Sequence, residues 1–399
     1  MASENDWDVA IVGGGLAGGV AAFHCARSGL RTVLFEKESK AHQKVCGEFL
    51  SGESFPILEE TGIDLKKLGA VSLGGFRFHG PHRSVASRLP MAGAGISRYV
   101  LDDEILRRAE GAGAEIRKGV RVKKKLDGLE GPAGAIVLET SEGLVAAKRL
   151  IVATGKSEFT SVENRVGRDS GLVGFKMHVQ LKPSMKRDLA DNCDLFVFDG
   201  GYGGLAPIEG GIANFCFLIE KMAVRSIGSD WVSLASYISR NNWEASRLLD
   251  GAEPLFKSFC TVANVPYGYL RATTPELGVY CVGDQMAVIP SLTGNGMTIA
   301  VSTGLLAAQA IIDPHARGQM RPASTSIVYQ RRARAMLRSQ VNAGFHLHRL
   351  FKNPAICDWA TVAANAFPKI LDNLFTRTRC TVAGRVLEGR SRESLRGDA

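Results

Sequence analysis

Three glycines in the stretch Val9-Ala-Ile-Val-Gly-Gly-Gly-Leu-Ala-Gly18 have the spacing that binding a dinucleotide requires. Gly13 permits a tight turn out of a strand, Gly15 lets the backbone approach a pyrophosphate, and Gly18 lets a helix lie close against a sheet. A helix that begins near Gly15 aims its unpaired N–H groups and the positive end of its dipole at the phosphates. Glu36 closes the next strand, 18 residues past Gly18, where a carboxylate accepts hydrogen bonds from ribose hydroxyls and disfavours a 2′-phosphate.

A second constellation is Gly283-Asp284, followed by Pro290-Ser-Leu-Thr-Gly294-Asn295-Gly296-Met297. A strand-end aspartate suits a ribityl hydroxyl. The glycine turn opens a helix whose N-terminus would face the edge of a flavin where negative charge develops on reduction, so its N–H groups favour the reduced form. The cofactor read from the two motifs together is FAD rather than NAD. No second G-x-G-x-x-G follows a strand, so no separate nicotinamide domain is expected. Electrons would come from NAD(P)H docking directly over the flavin or from an electron-donor partner. Cys46 and Glu48 are candidate proton donors, and Tyr202 is a candidate to orient a substrate. Cys46, Gly47, Tyr202, Pro207, Pro290 and Gly296 would bound the reaction site.

These motifs resemble the flavoprotein superfamily of aromatic-ring hydroxylases (p-hydroxybenzoate hydroxylase-like) and geranylgeranyl reductases, over most of residues 7–310. The resemblance implies that Gly13, Gly15, Ala17, Gly18, Glu36 and Lys37 hold the ADP half of FAD, with Val122, Ala153 and Gly155 beside them. It assigns Gly283, Asp284, Gly294, Asn295, Gly296 and Met297 to the ribityl chain and isoalloxazine. Lys44-Val-Cys46-Gly47-Glu48 is similar to the loop that reaches the flavin in the reductase branch. Arg98-Tyr-Val-Leu-Asp102 is similar to the family's Arg-x-x-Leu-Asp, whose arginine lies near the flavin and pyrophosphate.

The departures are as informative as the matches. Ring hydroxylases commonly carry a histidine where this chain has Ala287, and an Asp-Gly pair where it has Thr154-Gly155. The substrate signature of the prenyl reductases is Tyr-x-Trp-x-Phe-Pro and that of flavin halogenases Trp-x-Trp-x-Ile-Pro, whereas this chain has Tyr202-Gly-Gly204-Leu-Ala206-Pro207. Two bulky positions have become small, which implies a larger cavity. The leading expectation is a monooxygenase that hydroxylates a hydrophobic aromatic or polyketide-like molecule through a flavin C4a-hydroperoxide. Reduction of prenyl double bonds is the alternative, and halogenation a second one.

The elements that must position these residues follow from patterning. The apolar runs Arg149–Gly155 and Val279–Asp284 read as parallel strands that join the first sheet. Alternating stretches at Asp194–Phe198 and Ala213–Ile219 read as antiparallel strands joined by glycine-rich turns between Gly200 and Gly211. The expected fold is α/β: a Rossmann-type FAD-binding domain (1–75, 98–165 and 270–320), an inserted antiparallel β-sheet substrate domain (76–97 and 166–269) and a C-terminal helical region (321–399). In that last region Tyr329, Arg332, Met336 and Gln340 are expected on one side of a long helix. The segment 355–379, with Lys369, Arg377 and Arg379, reads as a packed cap, with contact to a membrane surface as the alternative.

Composition excludes several classes. The chain has 399 residues, 45% of them hydrophobic, and its net charge of +9 comes from 49 basic and 40 acidic residues spread along the sequence with no nucleic-acid motif. The main basic run, Arg117 to Lys125, reads as a solvated face. Eight cysteines, at 25, 46, 193, 216, 260, 281, 357 and 380, contain no C-x-x-C pair. Neither a metal site nor a disulfide framework is signalled, which suits a cytoplasmic protein, peripheral to a membrane at most. The start lacks a basic leader, and the apolar run 298–312 reads as too short and too interrupted to span a bilayer.

Overall fold

The computed structural model describes residues 7–130, 135–159, 161–162, 165–168, 171–272, 276–316 and 322–367. The chain opens with β1 (Val9–Val12), α1 (Leu16–Arg27) and β2 (Thr32–Glu36), then makes a long hairpin of β3 (Val71–His79) and β4 (Ser84–Gly95). α2 (Arg98–Gly111) and β5 (Glu115–Lys118) return to the first unit, followed by the meander β6 (Val122–Glu130), β7 (Ile136–Thr140) and β8 (Gly143–Ala147), and by β9 (Leu150–Val152). β10 (Leu172–Gln180), β11 (Asn192–Phe198), β12 (Gly201–Ile208) and β13 (Ile212–Glu220) precede α3 (Trp231–Asn241), α4 (Trp243–Leu249), β14 (Cys260–Ala263) and β15 (Val279–Cys281). Three helices finish the described chain: α5 (Gly296–Ala316), α6 (Pro322–Phe351) and α7 (Pro354–Ala366).

Five strands form the parallel sheet in the order β15-β9-β1-β2-β5. Its inner strands are buried on both faces, as their unbroken Val/Ile/Leu runs require. The apolar α1 and α5 and the apolar face of α6 cover one face around Ile11, Ile151 and Tyr280. The larger sheet runs β10-β13-β12-β11-β3-β4. It is antiparallel except where β11 lies parallel to β3, pairing Asn192 with Gly75. Phenylalanines 175, 196, 198, 215 and 217 fill its outer face against α3 and α4, which leaves the opposite face for the cavity.

The parallel and antiparallel layers agree with the sequence reading, and four local features differ. Gly201–Ile208 is a full strand, β12, between β11 and β13, not a set of turns. Its adjacent Gly203 and Gly204 lie on opposite faces of the pleat, and Gly203 gives the Phe217 side chain room. β3 straddles the expected boundary at 75/76, so the hairpin belongs to the larger sheet from Val71 onward. On α6, Arg332 is exposed, while Tyr329, Ala333, Leu337 and Val341 make the buried face. The helix α5 is long and apolar enough to cross a membrane by composition, contrary to the expectation for that run, and 67% of its apolar window is buried inside the fold. Within the basic run, Lys118 pairs with Asp103, Lys123 and Lys124 with Glu139, and Lys125 with Glu276. Lys369, Arg377 and Arg379 lie outside the described residues.

A buried charge network pins β3 to β11. Asp194 accepts both Nε and Nη2 of Arg77 and lies 2.8 Å from His79 Nε2, whose Nδ1 is 2.8 Å from Ser84 Oγ. Asp194→Ala leaves a guanidinium and an imidazole without their carboxylate. It should cost about 3–5 kcal/mol, read as a lower urea midpoint at an unchanged slope.

Candidate active site

The two glycine motifs meet. One cavity of about 550 Å³ is lined by Gly13, Gly15, Ala17, Glu36, Lys37, Val122, Ala153 and Gly155, and also by Gly283, Asp284, Gly294, Gly296 and Met297. Arg98, Cys46, Gly47, Glu48 and Tyr202 line the same space. Four predicted site residues do not: Gly18, Pro207, Pro290 and Asn295. Pro207 lies near the end of β12, paired with Ala213 of β13. Gly18 lies in the first turn of α1, where a Cβ would fall on the Gly13 carbonyl oxygen, so its role is helix packing rather than contact. Pro290 is buried, and its carbonyl accepts the N–H and hydroxyl of Thr293, which shapes the turn before α5. Asn295 is buried, and its carbonyl accepts the Ile299 N–H in the first turn of α5.

The cradle fits FAD on its own geometry. Gly13 has φ 110°, and any Cβ there would strike the Ala153 carbonyl. Gly15 caps α1 with no side-chain hydrogen bond, leaving the first-turn N–H groups to the cavity. Glu36 accepts the Gly14 N–H at 2.8 Å and the Glu38 N–H at 3.0 Å. A carboxylate has about four acceptor positions, so capacity for ribose hydroxyls remains. A Cβ on Gly47 or Gly296 would meet no protein atom within 4 Å. The space beside both is open cavity. Asp284 sits in a 3₁₀ turn with its carbonyl held by Arg165 Nη1 at 2.8 Å.

Arg98 lies beneath the first motif. Its Nε and Nη2 grip Asp102 at 2.7 and 2.9 Å, and Lys44 Nζ reaches the same carboxylate at 2.8 Å. Burial alone would raise the Asp102 carboxyl, but Arg98 and Lys44 outweigh it and hold it below the ordinary aspartate range.

Glu48, a candidate proton donor in the sequence, is fully buried and held by three groups. Lys176 Nζ donates to Oε1, the Arg98 backbone N–H donates to the same atom at 2.8 Å, and His178 Nε2 approaches Oε2 at 2.7 Å. Lys176 Nζ also donates to Gln43 Oε1 at 2.8 Å. Cys46 faces the cavity with its carbonyl held by Asn214 Nδ2 at 3.0 Å. The neighbouring Cys216 thiol is pushed up to about 12 by burial, which makes it an inert wall. Lys176, His178, Tyr267 and His348 were missed by sequence reasoning. A signal existed for the first two, since a lysine and a histidine two apart in the apolar strand Leu172–Gln180 must share one face.

The FAD binding domain family matches residues 6–165. A digeranylgeranylglycerophospholipid reductase of Thermoplasma acidophilum is 30% identical over 325 residues, which cover 76% of this chain and 77% of that protein. The chain belongs to the FAD-dependent oxidoreductases of the geranylgeranyl reductase family. A menaquinone reductase of Mycobacterium tuberculosis is 25% identical, with 78% of each chain covered. Among solved structures, a flavin-dependent brominase superposes with a TM-score of 0.77 at 18% identity, covering 98% of this chain and 100% of that one. A geranylgeranyl bacteriochlorophyll reductase-like protein of Thermoplasma acidophilum superposes at 0.71 with 20% identity, covering 95% and 94%. The protein is therefore an FAD-dependent oxidoreductase, and its cofactor is FAD.

Two outcomes test this site. Gly13→Ala should yield folded protein that has lost most of its flavin, measured as the ratio of flavin to protein absorbance. The lowered Asp102 carboxyl contributes stability that is present above the ordinary aspartate value of about 3.9 and is lost as pH falls through the folded value. Asp102→Asn should therefore be less stable at neutral pH and show a shallower loss on acidification, read by thermal unfolding across an acid series.

Proposed function

We propose that this flavoprotein is a monooxygenase of hydrophobic aromatic molecules. The observation that carries the reading is how Glu48 is held. The acid that reduction of a double bond would draw on is committed to three donors, while the cavity wall beyond it is apolar. Leu195, Leu218, Val262, Val288 and Leu292 supply that wall, which suits an apolar substrate. Gly204 and Ala206 stand where bulky signature residues would fill the space, so a ring system has room over the flavin edge. Reduced FAD supplies the electrons and activates dioxygen. The chain's own part is confinement and orientation: the glycine turns fix the cofactor, the Cys46–Glu48 loop bounds the site, and the apolar wall holds the substrate.

A second reading, reduction of prenyl-type double bonds, is favoured by the names of the sequence relatives, which include digeranylgeranylglycerophospholipid reductase and menaquinone reductase. In that reading Cys46, which lines the cavity, is the proton donor in place of Glu48.

The two readings separate in one experiment. The holoprotein is reduced without oxygen, mixed with aromatic and polyprenyl candidates, and exposed to isotopically labelled dioxygen. Monooxygenation predicts an aromatic product that carries one labelled oxygen atom. A polyprenyl product that gains two hydrogens without oxygen would replace the first reading with the second.

A further inference from the structure

The outward side of α7 is apolar along its whole length. Ile356, Trp359, Val362 and Phe367 are exposed there, with only the alanines at 360, 363 and 366 between them. At 100° per residue these positions fall within one arc of about 160°. Trp359 is 75% exposed and Phe367 66%. The polar residues of the helix are spent on the protein. Asp358 accepts the His82 N–H at 3.1 Å and Asn365 Nδ2 donates to the Ser84 carbonyl at 3.0 Å, both at the tip of the β3–β4 hairpin. Cys357, Thr361 and Ala364 make the buried face. Cys357 and Ala364 join the apolar cluster that holds the cavity residues Leu195, Tyr202 and Leu218. A surface helix ordinarily carries charge on its solvent side, and α7 carries none there. Single exposed apolar side chains are ordinary, but a contiguous arc marks a surface that meets something else.

The helix before it supplies the second observation. α6 contains five arginines and no acidic residue, and from Pro314 to Cys357 the sequence has no acid at all. Arg331, Arg338 and Arg349 are exposed and spaced by seven and eleven residues, so they share one stripe of α6. The stripe ends beside the exposed Leu350 and Lys352, at the joint with α7. An aromatic and aliphatic face with basic residues at its margin is the arrangement that settles into the headgroup region of an anionic bilayer, and tryptophan is favoured at that depth. Apart from the Trp359 indole, the arc offers no hydrogen-bonding side chain for a protein interface to use, whereas lipid tails ask for none. A symmetric pair of copies joined through this face would also bring two basic joints into one interface, where like charges oppose contact.

We propose that the outer face of α7 and the adjoining arginines of α6 dock the protein on an anionic phospholipid surface, with Trp359 and Phe367 inserted at the level of the headgroups. The buried face of α7 packs on residues that wall the cavity, so docking places that wall, rather than the nucleotide motifs, next to lipid. The inference is independent of which reaction the flavin supports.

The test is co-sedimentation of the holoprotein with sucrose-loaded vesicles, read as flavin absorbance in the pellet. The vesicles are phosphatidylcholine alone, or phosphatidylcholine with about one third phosphatidylglycerol. The anionic vesicles should bind at least about tenfold tighter than the neutral ones, and about 0.5 M salt should remove the difference. Trp359→Ser with Phe367→Ser should weaken binding to both vesicles at least about tenfold. Arg338→Glu with Arg349→Glu should abolish the preference for the anionic vesicles and leave binding to the neutral ones unchanged. All four positions are exposed and lie outside the cofactor cradle, so each variant should keep the wild-type ratio of flavin to protein absorbance. Trp359→Ser alone carries the test where a double variant does not fold. Absence of the holoprotein from both pellets, or binding that survives loss of both aromatic side chains, would overturn the proposal. So would a lipid-free oligomer in analytical ultracentrifugation that Trp359→Ser converts to monomer, since it would assign the face to a second copy of the chain.

Discussion

One buried carboxylate joins the two halves of the molecule. Glu48 sits at φ 55°, a left-handed conformation that costs a non-glycine residue about 1–2 kcal/mol. It is held there because its oxygens are shared between the larger sheet, through Lys176 and His178, and the start of α2, through the Arg98 N–H. Removing either side would leave a buried charge unpaired, the case in which a buried ion pair matters most. The loop before Glu48 is fixed at further points: Lys44 on Asp102, the Val45 carbonyl on Lys156 and the Cys46 carbonyl on Asn214. The cavity lies along this seam, so the wall that bounds the flavin site is as rigid as the contacts between the halves.

That arrangement divides the labour between the sheets. The parallel sheet supplies helix N-termini and glycine turns, which suit phosphates and a reducible ring. The antiparallel sheet presents a pleated face with few charges, in which Gly204 and Ala206 lower the surface and Tyr202 rises from it. Lys176 lies in register with Cys216 on one side and Cys260 on the other. Its ammonium is spent on Glu48 and Gln43, so a charge on the cavity-facing row does not make the pocket wet.

Much of the cofactor cradle was legible because it depends on local backbone demands. A glycine at the turn, a glycine under the helix and an acid at the next strand end each answer a steric or electrostatic need within a few residues. The strands β9 and β15 were legible from their apolar runs. The substrate wall was not. Tyr202 and His348 are 146 residues apart, and nothing in the sequence around either says that α6 packs behind β12. Lys176 and Glu48 are separated by 128 residues, and Glu48 was read as an acid because its partners come from a strand whose register the sequence does not reveal. The run of glycines around residue 203 suggested turns by composition, whereas the fold uses them as a low strand beneath a crowded phenylalanine core.

The order of strands in the parallel sheet also shapes how the protein is made. β1 pairs on one side with β2, a neighbour in sequence, but on the other with β9, and β9 in turn needs β15, which emerges from the ribosome more than a hundred residues later. Until then Leu150–Val152 is a bare apolar edge. During synthesis the nascent chain must carry that edge while the whole antiparallel insert is translated and paired. Nucleotide capture, which needs both cradles, therefore waits until the segment through Gly296 has been made, and the available flavin acts on a chain whose two sheets are already translated rather than as a template for its early folding.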